Sequence, residues 1–517
     1  MWQQGKLPCA AFFRLRHSLP EQAPGLNVDF YVGAAVQLPP QHNGLNLSIM
    51  EIIAIAFGVA GLIWGLILLR RGGLLAGCLA VMLAGACFSV EFFKTTLGPL
   101  PLTADRILLV ALVGQYLLWR RFGWADPKPL GKPEVLLCLF TAMMVVSTFS
   151  TDYTYLNYQP VSWLILYYLM PFCVYWIARQ AEYNEKNVSV LFICLAGFGA
   201  YLAVTSLAEY FEVWSLVFPR YIAENASLAT AEFVGRARGP FLNPISNGIA
   251  LSVCLGGALM IWPRLSRGGQ LLMLPLYALL FAAIYATMTR SVWMSGALTL
   301  AIIAGAAIPW NWRWPILVGG MLLAVVIGVT QWDRLASFKR DRDLDADKTA
   351  ESVELRPVMA RIAWNMFLDH PIFGCGYSQY KTEHPNYLSD RSTELVLEKA
   401  RGYIPHNVVF SLLTETGLFG LGLFLTIVFF WARDAWRLWA AKTAPLAVRQ
   451  QGLLLIAALA TYFLNGMFHD VSAVPMGNMT LFFIAGVTAG LRPWTAATAV
   501  PHVAPSLAAP RGMAPAR

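Results

Sequence analysis

The chain has 517 residues, of which 57% are hydrophobic and only 13% are charged. That charged fraction is about half that of an ordinary soluble domain, and apolar runs of roughly twenty residues recur, each long enough to cross a bilayer. The composition excludes a soluble globular protein and predicts an all-α, polytopic membrane protein. The net charge of +9 is spread over loop ends, which suits membrane lipids better than nucleic acid.

About thirteen apolar segments are predicted to span the membrane as helices, giving a bundle of about 12–13 spans. In chain order they are 50–69, 73–90, 106–119, 134–149, 161–177, 188–210, 244–262, 271–288, 292–308, 314–329, 407–431, 453–468 and 476–491. The segments at 106–119 and 134–149 are the shortest candidates of the first half.

The distribution of basic residues predicts the orientation, because Lys and Arg near span ends are retained in the cytoplasm. One set of loops carries Arg70, Arg71, Arg120, Arg121, Lys128, Lys132, Arg179, Lys186, Arg264, Arg267, Arg313, Arg433, Arg437, Lys442 and Arg449. The alternate loops are poor in such residues. The segment 212–243, the turn at Arg290 and the long loop 332–405 are therefore predicted to face the periplasm together.

These spans divide the chain into five parts. Residues 1–49 form an N-terminal extension, either disordered or preceding the true start at Met50, since they lack a signal-peptide pattern. Transmembrane helices 1–10 occupy residues 50–331. The large periplasmic loop occupies residues 332–405, and transmembrane helices 11–13 occupy residues 406–492. The tail 493–517, rich in Ala and Pro, is predicted to be disordered.

The long loop has its own predicted structure. An amphipathic helix begins near Thr349 and stops at Asp369, because Pro371 forbids its continuation. Its apolar positions, including Val358 and Ile362, fall on one face at helical spacing, so we expect the helix to lie on the membrane surface. A loop of this length with internal structure is typical of a functional lid.

His406 is the strongest candidate for chemistry. It precedes the apolar helix that follows the loop, where unpaired backbone amides carry partial positive charge and disfavour imidazolium. A neutral His406 could accept a proton as a general base. Asp470, after His469, either joins this site or forms an interfacial polar pair. Glu415 lies about 13 Å further along the helix axis, which favours pairing helices or holding an arginine of a neighbouring span.

Three arginines are candidates for binding an anion. Arg236 and Arg238 lie in a glycine-rich entry to a span, and Arg290 lies in a tight turn between two spans. Guanidinium groups suit phosphate oxygens, and an ionisable residue at this depth commonly marks function. The alternative is that they anchor the chain to lipid headgroups. Arg361, like Arg356, is a basic residue of the loop helix.

Other function classes find little support. The sequence contains no Walker-type loop, dinucleotide-binding glycine motif or HExxH zinc motif, and the eight cysteines show no disulfide or metal spacing. Asp341, Asp343, Asp345 and Asp347 are interpreted as a solvated stretch, because a calcium loop needs further ligands at fixed positions. We expect neither a metal nor a cofactor.

Several of these residues together resemble the O-antigen ligase and polymerase superfamily. The pattern consists of Arg356 or Arg361, Trp364, Phe367, Pro371, Gly374, Gly376, His406, Asn407, Leu413, Glu415, Gly417, Leu418 and Gly420. The segments 239–244 and 289–291 match the same pattern. The resemblance extends over about 161–491.

The resemblance implies a metal-independent glycosyltransferase of a bacterial inner membrane. Its donor would be a glycan on polyprenyl diphosphate, and its acceptor a hydroxyl of a lipid or another glycan at the periplasmic face. By position, His406 would activate the acceptor, while Arg290 and Arg236 or Arg238 would hold the diphosphate. Asn407, Glu415, Arg361 and Asp470 would support the site. Ligation and polymerisation stay open, with a slight preference for polymerisation or export of an exopolysaccharide.

A transporter or flippase of lipid-linked oligosaccharide is the alternative. Such proteins bind substrate near the midplane, between internal repeats and broken helices. This sequence shows no evident repeat, and its candidate residues gather at one predicted face, which favours the transferase. The chemistry agrees, because attack by a hydroxyl on the donor needs a base, and the departing diphosphate needs positive charge.

Overall fold

The structure is a computed structural model, which describes residues 73–88, 92, 95–97, 100–125, 127–225, 233–307, 309–330 and 346–496. All of them lie within one compact unit, Ala60–Arg517. The predicted extension 1–49, the predicted first span 50–69, the aspartates at 341, 343 and 345, and the tail beyond 496 lie outside the described residues.

The described chain is almost entirely helical, which confirms the all-α prediction. Its α-helices are α1 (Gly73–Cys87), α2 (Ala104–Arg121), α3 (Lys132–Ser150), α4 (Tyr155–Leu164), α5 (Met170–Gln180), α6 (Glu185–Tyr210), α7 (Tyr221–Glu224), α8 (Pro244–Ile261), α9 (Arg267–Ala286), α10 (Arg290–Ala307), α11 (Trp310–Thr330), α12 (Ala346–Asp369), α13 (Tyr380–Glu383), α14 (Val408–Ala440), α15 (Leu446–Gly466), α16 (Pro475–Gly490) and α17 (Pro493–Ala496). A π-helical turn, Ile165–Leu169, joins α4 to α5.

Shorter elements fill the connections. Single 3₁₀ turns occur at Trp214–Leu216, Gly239–Phe241, Trp262–Arg264, His384–Tyr387, Leu397–Ala400 and Val471–Ala473. A small antiparallel hairpin joins β1 (Thr95–Leu97) to β2 (Leu100–Leu102), with Thr95 opposite Leu102. The helix α17 occupies residues 493–496, so the first four residues of the tail predicted to be disordered are helical.

Eight helical segments in the described ranges are long and apolar enough to cross a membrane. They are α3, the continuous α4–α5 segment, α6, α8 with its 3₁₀ turn, α9, α10, α14 and α15. The protein is therefore a multi-pass membrane protein. The sequence predicted more spans than this, partly because α1 is shorter and α16 has only 16 residues. At 1.5 Å per residue, α16 is about 24 Å long, less than the hydrocarbon core of about 30 Å.

The contact pairs between α8 and α10 show that these helices run parallel. Gly248 packs against Val292 near the start of each helix, and Gly256 packs against Ile303 further along both helices. Both helices therefore start at the same end of the bundle. The helix α6 ends there as well, because Asn247 near the start of α8 donates a hydrogen bond of 2.8 Å to Ser206.

The helix α15 runs the opposite way. The hydroxyl oxygens of Thr461 and Thr299 lie 3.1 Å apart, while Leu454, two turns earlier in α15, packs on Gly256 beside Ile303. The end of α15 therefore lies where α8 and α10 begin.

The long helix α14 starts beside the end of α15. Val408 packs against Gly466, and at the other end the Ala435 carbonyl lies against Gly452. The two helices are therefore antiparallel neighbours. Their close approach at Gly452 and Gly466 is possible because neither residue carries a side chain.

These pairings define two ends of the bundle. The end that holds the starts of α8, α10 and α14 and the ends of α6 and α15 is called the loop end. The opposite end is called the basic end, because it carries Arg264 after α8, Arg433 and Arg437 in the last turns of α14, and Arg449 in the first turn of α15. Basic residues that the sequence predicts for one side of the membrane thus lie at one end.

The segment after α11 has a small core of its own, built on α12. Buried residues of α12 pack on residues that follow it in the loop: Leu355, Val358, Met359, Ile362 and Met366 contact Tyr380, Leu388, Leu397 and Ala400. The predicted amphipathic helix and its stop at Asp369 are confirmed. Its apolar face was wrongly assigned to the membrane surface, because that face is covered by the loop itself.

Candidate functional site

The helix α14 is broken at Gly417, close to the loop end. Gly417 has φ 63° and ψ −166°, a backbone conformation that is essentially restricted to glycine. A Cβ at this position would lie 2.3 Å from the Ile372 carbonyl oxygen. Glycine is therefore required at this position for two reasons: its backbone angles, and the close approach of another segment of the chain.

That segment is 371–376, which follows α12 and pairs with the broken helix through its backbone. The Leu418 amide donates to the Pro371 carbonyl at 2.9 Å, and the Cys375 amide donates to the Thr414 carbonyl at 2.8 Å. These bonds satisfy backbone groups that the break removes from the helical ladder. The spaced proline and glycines of the superfamily pattern are thus a docking motif between loop and helix.

Glu415 reinforces the same docking. Its carboxylate accepts hydrogen bonds from the backbone amides of Ser378 and Tyr380. Sequence reasoning expected this residue to pair helices or to hold an arginine, whereas the structure gives it backbone groups of the loop. Glu415 therefore positions the loop against the broken helix.

His406 lies at the loop end, immediately before the cap of α14, and is partly buried. The cap is Asn407, whose side-chain oxygen accepts from the amides of Val409 at 2.8 Å and Phe410 at 3.2 Å. Its side-chain nitrogen donates to the Met467 carbonyl at 3.2 Å. Asn407 thus fixes the start of α14 against the end of α15 and sets the position of His406.

A second histidine, His469, lies beside His406. The ring centroids are 6.3 Å apart and the ring planes meet at 76°. Phe468, the residue before His469, contacts an arginine of the loop. The guanidinium of Arg356 lies 5.4 Å from the centroid of the Phe468 ring, within the range of a cation–π interaction. Two imidazoles and an arginine of the loop therefore gather where α14 begins and α15 ends.

Asp470 adjoins this pair and is held by serines of two elements. The Ser411 hydroxyl donates to its carboxylate at 2.6 Å, and the Ser472 amide donates at 3.1 Å. The Ser472 hydroxyl donates to it as well. Burial raises the pKa of Asp470, although these hydrogen bonds act in the opposite direction. Asp470 therefore joins Ser411 of α14 to Ser472 of the turn after His469.

Arg236 and Arg290 meet at the turn between α9 and α10. Arg236 is buried, and its guanidinium donates to the Thr287 carbonyl at 3.1 Å and to the Thr289 hydroxyl. Arg290, the next residue along the turn, is exposed at the start of α10. The buried arginine therefore supports the turn that presents the exposed one at the loop end.

Arg238 has a different environment from that of Arg290. It is buried and pairs with Glu209 at 2.9 Å, while Glu209 also accepts from the amides of Arg238 and Gly239. Further guanidinium donors reach the carbonyls of Asn225 and Ile222. A neutralised guanidinium with these partners fits a role in holding residues 222–225 next to Gly239 better than one in binding an anion.

Arg361 points to the loop's own residues. Its guanidinium donates to the Ser392 hydroxyl at 3.4 Å and interacts with the Asp390 carboxylate. Of the two arginines that fit the superfamily pattern, Arg356 is therefore the one beside the histidine pair. The sequence motif allowed either residue, which left Arg356 and Arg361 undistinguished.

Residues 275–425 match a family model described as O-antigen ligase, which confirms the resemblance drawn from the sequence motifs over that segment. The matched range contains Arg290, the docked loop, His406 and the break at Gly417. No curated protein matches the chain. In the described residues, no group of three or more His, Cys, Asp or Glu side chains could hold a metal ion.

Proposed function

We propose that this protein transfers a glycan from a polyprenyl-diphosphate-linked donor to a hydroxyl acceptor at the periplasmic face of a bacterial inner membrane. The family match supports the coarser assignment, a membrane protein of the O-antigen ligase or polymerase type. The donor, the acceptor and the sidedness belong to the proposal.

One observation carries the proposal: the predicted base and the predicted phosphate ligand lie at the same end of the bundle. His406 precedes the start of α14, and Arg290 begins α10. Both starts lie at the loop end, opposite the basic residues. An arrangement with the two groups at opposite ends would have been incompatible with one transferase site.

The roles follow from the chemistry of glycan transfer. A hydroxyl that attacks the anomeric carbon must lose its proton, and His406 is placed to accept it. The bond to the diphosphate breaks, and the leaving group gains negative charge that a fixed cation stabilises. The exposed Arg290 suits that function, with Arg236 supporting its turn. Arg356 is a second cation close to the histidine pair.

The test is a comparison of two histidine variants in cells. His406→Ala removes the proposed base, so we expect transfer to fall by about 10²–10⁴-fold, with the lipid-linked glycan accumulating outside the membrane. His370→Ala is the matched control, because His370 is an exposed residue of the same loop. Wild-type levels of polysaccharide in the His406→Ala strain would refute the proposed role.

The same strains distinguish the alternatives. Accumulation of the lipid-linked glycan on the cytoplasmic side would indicate a flippase rather than a transferase. In a deletion strain, long chains left on the polyprenyl carrier indicate a ligase, whereas single repeats attached to their acceptor indicate a polymerase. Glycan released from each strain can be sized by gel electrophoresis and mass spectrometry.

A further inference from the structure

A polar cavity lies at the basic end, far along α14 from His406. It has a volume of about 180 Å³ and is lined by Lys132 at the start of α3, by Arg433, Asp434 and Arg437 of α14, and by Arg492 after α16. A single buried water needs about 15 Å³ on a comparable measure. The cavity is therefore large enough for a polyatomic group.

The charge of the lining is strongly positive. Four cations face the Asp434 carboxylate of the lining and the buried Glu134 carboxylate, which pairs with Arg492 at 2.9 Å, so a formal charge of two positive units is left. Asp434 is held by Arg492 at 2.6 Å and by Arg433 at 3.2 Å, so its charge is already shared. Lys132 and Arg437 are exposed at the rim. The cavity is therefore suited to an anion.

Among the described residues, two hydrogen-bond donors of the lining arginines lack an acceptor. Within the described part of the chain, Nη2 of Arg492 and Nε of Arg433 are buried and have no hydrogen-bond partner. A buried donor without an acceptor is costly, and guanidinium groups bind phosphate oxygens through several hydrogen bonds at once. Because protein covers these two atoms, a phosphate group would first meet the exposed Lys132 and Arg437 and then the guanidinium groups of Arg433 and Arg492 in the lining.

Apolar surface beside the cavity indicates the source of the phosphate. Trp436, which precedes Arg437, is 63% exposed, and Leu130 near Lys132 is 60% exposed. Tryptophan is enriched at membrane–water interfaces, and such residues can contact acyl chains while the headgroup is bound nearby. A lipid can place its acyl chains against this apolar surface while its phosphate group occupies the cavity, whereas free phosphate has no group to contact it.

We propose that this cavity binds the phosphate headgroup of an anionic membrane lipid at the basic end of the bundle. Lys132 and Arg437 attract the headgroup at the rim, Arg433 and Arg492 donate to its oxygens, and the acyl chains lie along Trp436. The site is separate from the proposed transferase site, and the proposal does not depend on the reaction.

The experiment measures lipid binding to the purified full-length protein by native mass spectrometry and by the rise in melting temperature. The probes are dioleoyl phosphatidylglycerol, zwitterionic dioleoyl phosphatidylcholine and inorganic phosphate. We expect Lys132→Gln/Arg437→Gln to bind phosphatidylglycerol about 30-fold more weakly, from about 1 kcal/mol for each basic residue. Arg437→Lys, which keeps the charge, should bind nearly as tightly as the wild type.

The matched control is Arg120→Gln/Arg121→Gln, which removes the same charge from exposed positions at the end of α2, outside the cavity. Equal weakening in both double variants, or none in Lys132→Gln/Arg437→Gln, would overturn the site. Equal binding of phosphatidylcholine would do the same. Stabilisation by inorganic phosphate as strong as that by phosphatidylglycerol would overturn the assignment to a lipid.

Discussion

Asp470 illustrates how a single side chain can position the candidate site. Its carboxylate joins Ser411 of α14 to Ser472 of the following turn. His469, the adjacent residue, is thereby held beside His406. The hydrogen bonds describe a positioning role, because they orient the backbone that carries the second imidazole.

Two substitutions at Asp470 separate positioning from chemistry. Asp470→Ala leaves the serine donors without an acceptor, so we expect a loss of about 1–3 kcal/mol in stability together with reduced transfer. Asp470→Asn keeps an acceptor oxygen and should retain most of both. The measurements are the melting temperature and transfer to acceptor in membranes. If Asp470→Asn lost activity as fully as Asp470→Ala while staying folded, a direct chemical role would be indicated.

The position of a candidate residue can be predicted from sequence where neighbouring segments of the chain define it. His406 and Asn407 could be placed at a helix start because the loop, the cap and the apolar run are contiguous. Arg238 could not be distinguished from Arg236, since the difference depends on Glu209 of another helix. Arg356 shows the same limit, because its partner Phe468 is distant in sequence. The roles of these residues stay predictions.

At the scale of elements, the break in α14 couples the loop to the bundle. The segment 371–376 replaces the missing turn of the helix with backbone hydrogen bonds at Thr414 and Leu418. Gly374 also has positive φ, and a Cβ there would lie 2.3 Å from the Glu415 carbonyl carbon. The position of the loop relative to His406 therefore depends on Gly374 of the loop and on Gly417 of α14.

Two glycines of α14 provide a direct test. Gly417→Ala should destabilise the protein by at least about 1–3 kcal/mol for the backbone conformation alone, and by more because of the Ile372 carbonyl. Gly422→Ala lies in the same helix with open space around its Cβ position and should be neutral or slightly stabilising. Thermal unfolding in detergent and proteolysis of the loop are the measurements. Equal stability of the two variants would contradict the docking.

The helix α12 shows what periodicity can establish about an element. The spacing of Val358, Ile362 and Met366 correctly predicts a helix with one apolar face, and Pro371 marks where it stops. The same spacing does not reveal whether that face meets lipid or protein. The covering residues, such as Leu388 and Leu397, come later in the loop. Likewise, nothing periodic indicates the break at Gly417, because an apolar helix tolerates glycine in its sequence.

For the whole molecule, helix pairing agrees with the grouping of loops that the basic residues predict. The described residues contain eight helical segments that are long and apolar enough to cross a membrane, although hydrophobicity alone does not separate a helix in lipid from one inside a bundle. The helix α16 is buried from Gly477 to Gly490, so its apolar sequence meets other helices. The described helices therefore support the predicted helical membrane bundle. The orientation of the bundle in the membrane stays a prediction.

Orientation can be measured with single cysteines introduced into a cysteine-free variant. Glu394→Cys lies in the loop at the loop end, and Lys442→Cys lies between α14 and α15 at the basic end; both native residues are exposed. Because basic loops are retained in the cytoplasm, a membrane-impermeant maleimide should label Glu394→Cys in cells with a permeabilised outer membrane. Lys442→Cys should react only after the inner membrane is opened. The reverse pattern would place His406 and Arg290 on the cytoplasmic side and exclude a periplasmic transferase.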